Sequence, residues 1–179
     1  MCFPFLPLQF IVDLGVTDSS WTFTDVYGLD SEMLEMVPRP VVAVLLLYPI
    51  TEKNEAARIE EDKVLEEGGP QTVSPRVFFV KQTIGNACGT MGLIHAVCNN
   101  RDRITQEGFF REFFESSGDL TPDTRASKLE ESEALSTVHN DLALEGQSAV
   151  CPLIHCFSFS LSISLPSLPS LWICLWLGS

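Results

Sequence analysis

One stretch of this chain carries residue types that could do covalent chemistry. Residues 76–98 read RVFFVKQTIGNACGTMGLIHAVC. An apolar extended run leads into a short polar turn and then into an apolar helical run. Cys88 falls where that helix begins. At a helix start the backbone N–H groups and the macrodipole favour an anion, so a thiolate is stabilised there. Gly89 removes a side chain beside the thiol and lets another backbone approach closely. Gln82, six residues upstream at the end of the extended run, can aim an amide N–H at the same point. A thiol beside an amide donor is the equipment of acyl transfer: sulfur attacks a carbonyl carbon and the donors hold the oxyanion. Spacing alone leaves the plainer reading open, in which Cys88 is a small core residue before an apolar helix.

The elements that must position these residues read as a mixed α/β protein. VVAVLLLY at 41–48, between Pro40 and Pro49, is a continuous apolar run suited to a strand buried on both faces. RVFFVK at 76–81 reads as a second strand, and WTFTDVY at 21–27, ending at Gly28, as a weaker third. Helices are expected at 31–36 with Ser31 as N-cap, at 51–67 before Gly68-Gly69, at 109–114, and at 121–135. The last opens with a Thr cap and Pro in its first turn. The Glu-rich helix 51–67 reads as a solvated face. Trp21 and Phe23 read as packing residues. STVHNDLALEGQSA at 136–149 reads as a loop of a length that is often functional or disordered.

Composition narrows the partners. The chain has 179 residues, 24 acidic against 11 basic, and a net charge of −13. That argues against nucleic acid or an anionic membrane as the main partner. Hydrophobic residues at 45% are enough for a core. The six cysteines (2, 88, 98, 151, 156, 174) form no C-x-x-C pair, and His95, His139 and His155 form no H-E-x-x-H. No metal or cofactor is therefore expected. Reduced thiols in the cytoplasm are the default, and MCFPFLPLQF, with no basic residue before its apolar run, makes a poor signal peptide.

QTIGNACGTMGLIHA at 82–96 resembles the active-site signature of the ubiquitin C-terminal hydrolases, cysteine deubiquitinases with a papain-like core. WTFTDVYGLD at 21–30, MVPRPVVAVLLLYPITEK at 36–53 and EGQ at 145–147 agree with the small single-domain members, so the resemblance spans about residues 11–148. It implies Cys88 as nucleophile and Gln82 as oxyanion-hole donor. It implies that the loop around 136–149 lies near the family's crossover loop, and that Asn86 and Gly89 shape the turn. It implies a monomer acting on ubiquitin or its adducts, cleaving after the C-terminal glycine. The acidic balance suits that protein's basic tail. The implied fold is α/β, a papain-like core with an incomplete sheet.

The departures from the family lie beyond the loop. A thiol protease needs a base and a group to orient it. His95 is seven residues past Cys88 on one helix face, about 10 Å along the axis, and is expected to bond locally. His139 matches the region before the loop. His155 lies ten residues past Glu145 among neighbours unlike those of the family's base, and no acidic residue follows Glu145. The alternative function is therefore a catalytically inactive splice-type fragment that at most binds ubiquitin. Residues 1–10 form an atypical start, and 149–179 an uncharged tail. Fourteen of the fifteen residues at 157–171 are Phe, Ser, Leu or Pro, the residues a translated pyrimidine tract encodes. Alternating Phe/Leu/Ile and Ser from 157 to 165 is also a strand pattern able to pair onto a sheet edge, and membrane association by the tail is a third option.

Overall fold

The computed structural model describes residues 5–49, 51–69, 72–85, 87–138, 157–161 and 175–177. Helix α1 spans Phe5–Asp13, α2 Ser31–Glu35, α3 Glu52–Glu67, α4 Cys88–Asn99, α5 Gly108–Ser117 and α6 Pro122–Glu130. Strand β1 spans Leu45–Pro49, β2 Phe157–Leu161 and β3 Leu175–Leu177. The sheet order is β2-β1-β3, antiparallel on the β2 side and parallel on the β3 side.

Helix α4 is the centre of the molecule. Every residue from Cys88 to Cys98 except Gly89 is buried, so this helix is enclosed all round rather than amphipathic. Around it pack Phe10, Ile11 and Leu14 of α1, Phe110 and Phe113 of α5, Ala126 and Leu129 of α6, and Leu135. Val42, Ala43 and Leu45 reach it from the start of the β1 region, and Phe78 and Val80 from the segment before the site. Helix α5 owes its packing to the FFREFF pattern. Phe110 and Phe113 are buried, Phe109 stacks on Phe113 at 5.4 Å, and Phe78 meets Phe113 edge-on at 5.9 Å.

Several expectations need correction. The strand at 41–48 is shorter and shifted, running from Leu45 to Pro49. Residues 21–27 form no strand. Residues 76–81 join no sheet, because their backbone groups bond to helices instead (below). The cap of α2 is Asp30, not Ser31: its carboxylate accepts from the Met33 N–H at 3.1 Å. Helix 121–135 breaks after Glu130, and a further helical turn covers 133–138, so it enters the stretch read as a loop. Thr121 caps α6, accepting from the Thr124 N–H. Residues 5–10 are part of α1, and Phe10 is buried. Helix α3 is solvated along its length, with Arg58 paired to Glu55 and Asp62.

The end of α1 is fixed against the start of α5 at one glycine. Gly15 has φ +108°, and a Cβ there would sit 2.1 Å from the Glu107 carbonyl oxygen. The Glu107 N–H in turn donates to Gly15 O at 2.7 Å, and Val16 bridges Gln106. Gly15→Ala combines a strained φ with a backbone clash, so a loss of at least about 2 kcal/mol is expected. Urea denaturation measures it; an unchanged midpoint would contradict this packing.

Candidate active site

The site is built where an extended segment meets the start of α4. Cys88 is the first residue of α4, after Ala87 at φ −99°, ψ 17°, and no side chain caps the helix. The first intrahelical bond is Met91 N–H to Ala87 O at 2.8 Å. The N–H groups of Cys88, Gly89 and Thr90 precede it and point out of the helix start, with the positive end of the dipole. Cys88 is nearly covered, at 4% exposure. A Cβ built on Gly89 meets nothing within 4 Å, so there is space for another backbone beside the thiol. A cleft of about 370 Å³ adjoins the thiol's neighbours Ala87 and Thr90, and Ile84, Leu129, Glu130, Ser132, Leu135 and Ser136 complete it.

Gln82 and Cys88 are brought together. The Gln82 Nε2 group donates to Cys88 Sγ at 3.3 Å and to the Ile84 carbonyl at 3.2 Å. An amide N–H thus already faces the sulfur, and the second bond fixes its direction.

Gln82 ends an extended segment that borrows its hydrogen bonds from helices. The Phe78 N–H donates to Asn99 Oδ1 at 2.8 Å, and Asn99 Nδ2 donates back to Phe78 O at 2.8 Å. Arg125 Nη1 donates to Phe79 O at 3.0 Å, and the Lys81 N–H donates to Pro122 O at 3.3 Å. His95 Nε2 lies 3.0 Å from Val80 N and 3.2 Å from Val80 O. Accepting from the amide needs the ring proton on Nδ1, and donating to the carbonyl needs it on Nε2. The arrangement in which Nε2 accepts from the Val80 N–H requires a neutral ring.

Arg125 ties three elements together. Its guanidinium also donates to Ser117 O and Gly118 O and lies 4.3 Å over the Phe78 ring. Burial pushes its pKa down, chiefly by desolvation; the carbonyl acceptors and the ring face offset that cost.

His95 is the described histidine, and it does not serve the thiol. It is 3% exposed, stacks on Phe79 at 5.1 Å and spends Nε2 on Val80. His139 and His155 lie outside the described residues, as does Asn86. Cys98 is fully buried, and burial pushes its thiol up to about 12, so it is an inert core residue. Among the described residues no cluster of three or more His, Cys, Asp or Glu could hold a metal, and no helix is long and apolar enough to cross a membrane. Sequence reasoning missed Asn99 and Arg125. The four-residue spacing of His95 and Asn99 is a signal for a shared helix face; Arg125 left no comparable trace.

A chain with this helix, thiol and amide pair falls within a known class. Residues 4–159 match the model of ubiquitin carboxyl-terminal hydrolase, family 1, and the chain belongs to that family. It is 44% identical over 142 residues to ubiquitin carboxyl-terminal hydrolase 3 of Arabidopsis thaliana, covering 78% of this chain and 59% of that one. It is 46% identical over 143 residues to a probable ubiquitin carboxyl-terminal hydrolase of Dictyostelium discoideum, covering 79% and 55%. To the Homo sapiens isozyme L1 it is 45% identical over 139 residues, covering 76% and 60%. The chain therefore matches somewhat over half the length of these relatives. Its fold resembles the Trichinella spiralis UCH37 catalytic domain, solved bound to ubiquitin vinyl methyl ester, with TM-score 0.61 at 20% identity, covering 92% of this chain and 68% of that one. The fold is thus the α/β papain-like core of this family.

His95 generates a pH prediction. Burial, chiefly, depresses its pKa from 6.5 to about 4. A depressed folded-state pKa means the unfolded chain binds the proton more tightly. The ring therefore costs no stability above about pH 6.5, and stability falls as pH drops from there towards 4. The full loss is about 3 kcal/mol. His95→Gln should flatten this part of the stability profile between pH 6.5 and 4, read by urea unfolding across pH. An unchanged slope would contradict a buried neutral ring.

Proposed function

We propose that the chain acts as a thiol-dependent hydrolase on bonds at the C-terminal glycine of ubiquitin. The observation that carries this reading is the Gln82 amide 3.3 Å from the Cys88 sulfur at the start of α4, in a chain of this family. Cys88 is the nucleophile. Its sulfur, after losing its proton to solvent, attacks the glycine carbonyl carbon; a C–S bond forms, the C=O π pair moves to oxygen, and that oxygen takes the negative charge. Gln82 Nε2 and the Cys88 backbone N–H stabilise that oxyanion. Collapse re-forms the C=O and breaks the bond to the leaving group, which departs as an amine protonated by solvent or as a thiolate; the thioester left on Cys88 is hydrolysed by water to the free glycine carboxylate and the Cys88 thiol. The proposed catalytic domain is 11–148, between the segment 1–10 and the tail 149–179. The proposed setting is the cytoplasm and the proposed state a monomer, without metal or cofactor.

The nature of the leaving group sets the rate. An amine must be protonated as it departs, whereas a thiol departs as its anion. Among the described residues the one histidine is held on Val80, so a thioester at the ubiquitin C-terminus is the easier substrate. The expected order is thioester faster than amide.

The test uses purified folded chain and ubiquitin bearing a C-terminal thiol-reactive group, read by intact mass. A one-to-one adduct is expected, lost in Cys88→Ala. With a ubiquitin C-terminal thioester, Gln82→Ala should slow transfer to Cys88 about 10²–10³-fold. Folded protein that forms no adduct would sink the proposal in favour of a catalytically inactive chain.

A further inference from the structure

We infer that His95 and Asn99 are positioning residues whose side chains act as rungs of a ladder setting Gln82 against Cys88. The inference rests on the proposed acyl-transfer function for what Gln82 does, but not for where Gln82 is held.

The argument begins with register. Cys88, His95 and Asn99 are at i, i+7 and i+11, one face of α4. Their partners along the extended segment are Gln82, Val80 and Phe78 in that order. Helix and segment therefore run antiparallel, and each rung advances along both. From Asn99 to His95 the helix rises about 6 Å, at 1.5 Å per residue. From Phe78 to Val80 an extended chain rises about 6.6 Å, at 3.3 Å per residue. The near-equality of these steps lets two successive rungs close without strain. The last step is unequal: His95 to Cys88 spans about 10.5 Å of helix and Val80 to Gln82 about 6.6 Å of chain, and the Gln82 side chain reaches across the difference to Cys88 Sγ at 3.3 Å.

Each rung suits its task. Asn99 exchanges two bonds with one residue, accepting from Phe78 N–H and donating to Phe78 O, which fixes the segment along its length. Asn99 Nδ2 also lies 2.8 Å from His95 O, in the preceding turn. His95 then fixes Val80, two residues short of Gln82, and its ring is held by Phe79 at 5.1 Å. The groups facing His95 include the Val80 backbone and the Phe79 ring; Arg125, on α6, bonds Phe79 O. Loss of a rung frees the segment to shift. A misplacement of about 1 Å at an oxyanion donor costs about 10²-fold.

The test has two arms on the full chain. In the first, single-turnover transfer from a ubiquitin C-terminal thioester to Cys88 is measured for Asn99→Ala, His95→Leu and His95→Gln. Asn99→Ala and His95→Leu should lower the maximal rate about 10–100-fold with the half-saturating concentration unchanged. His95→Gln, whose amide has the reach of Nε2, should recover most of it. In a Gln82→Ala background the same substitutions should cost nothing further, because they act through Gln82. Equal losses in both backgrounds would overturn the proposal, since that is what general destabilisation gives.

The second arm needs no ubiquitin. In ¹⁵N spectra the Gln82 side-chain amide signals should move in Asn99→Ala and His95→Leu, and the Phe78 and Val80 amides should exchange faster with solvent. Unmoved Gln82 signals in folded variants would overturn the proposal. If the unmodified chain transfers no acyl group, the proposed function falls and this arm alone decides the positioning claim. Should Asn99→Ala not fold, Asn99→Ser takes its place in both arms.

Discussion

The structure depends on how the backbone of residues 78–81 is satisfied. A buried N–H or C=O without a partner costs on the order of 1–3 kcal/mol, so an apolar segment that enters a core must bond somewhere. Here its partners are His95 and Asn99 on α4, Arg125 on α6 and the Pro122 carbonyl. Because those partners sit on packed helices, the segment inherits their rigidity. The Gln82–Cys88 pair is the far end of this arrangement, with Gln82 one residue beyond the last bonded position and Cys88 at the start of the helix that supplies two of the anchors. Burial of α4 and geometry of the site are one constraint seen at two scales.

That constraint explains why polar residues sit inside so apolar a core. Between them Thr90, His95, Ser117 and Arg125 are the buried polar or charged residues among those described. Ser117 Oγ donates to Phe113 O, and the Ser117 carbonyl accepts from Arg125. Arg125 joins the end of α5, the start of the loop to α6, and the extended segment. Its cation is tolerable because backbone carbonyls and the Phe78 face replace water. The aromatic cluster of α5 then serves as the floor on which Phe78 rests, with Phe113 at 5.9 Å and Phe114 at 5.2 Å.

The sequence made the local chemistry legible and much of the tertiary bonding illegible. Cys88 and Gln82 stood out because their types and six-residue spacing match a helix start and the end of an extended run. The core role of α4 was readable from GTMGLIHAV, apolar on every side. The Thr121 cap was readable from T-P-D, since that signal is local. By contrast, RVFFVK has the composition of a strand, and composition reports an extended, buried chain without saying what bonds it. Whether the partner is a strand or a helix side chain is decided by residues 15–46 positions away. The Asp30 cap was missed for a smaller reason: Asp30 and Ser31 are both good caps, and the side-chain bond to Met33 decides between them.

The same bonding pattern separates the site from the sheet. Strand β1 has both its edges occupied, β2 on one side and β3 on the other, through registers Leu45–Leu161 and Leu45–Leu175. None of those pairings involves residues 78–82. A conventional central strand would transmit any change of pairing directly to Gln82, because register shifts move whole strands. Here the Gln82 amide is referenced to α4 itself, the element that carries Cys88. The distance that matters, between an amide nitrogen and a sulfur, is therefore fixed within α4 and the segment folded against it. The sheet contributes to the site through the packing of α4, whose contacts with β1 and β2 brace it from the side.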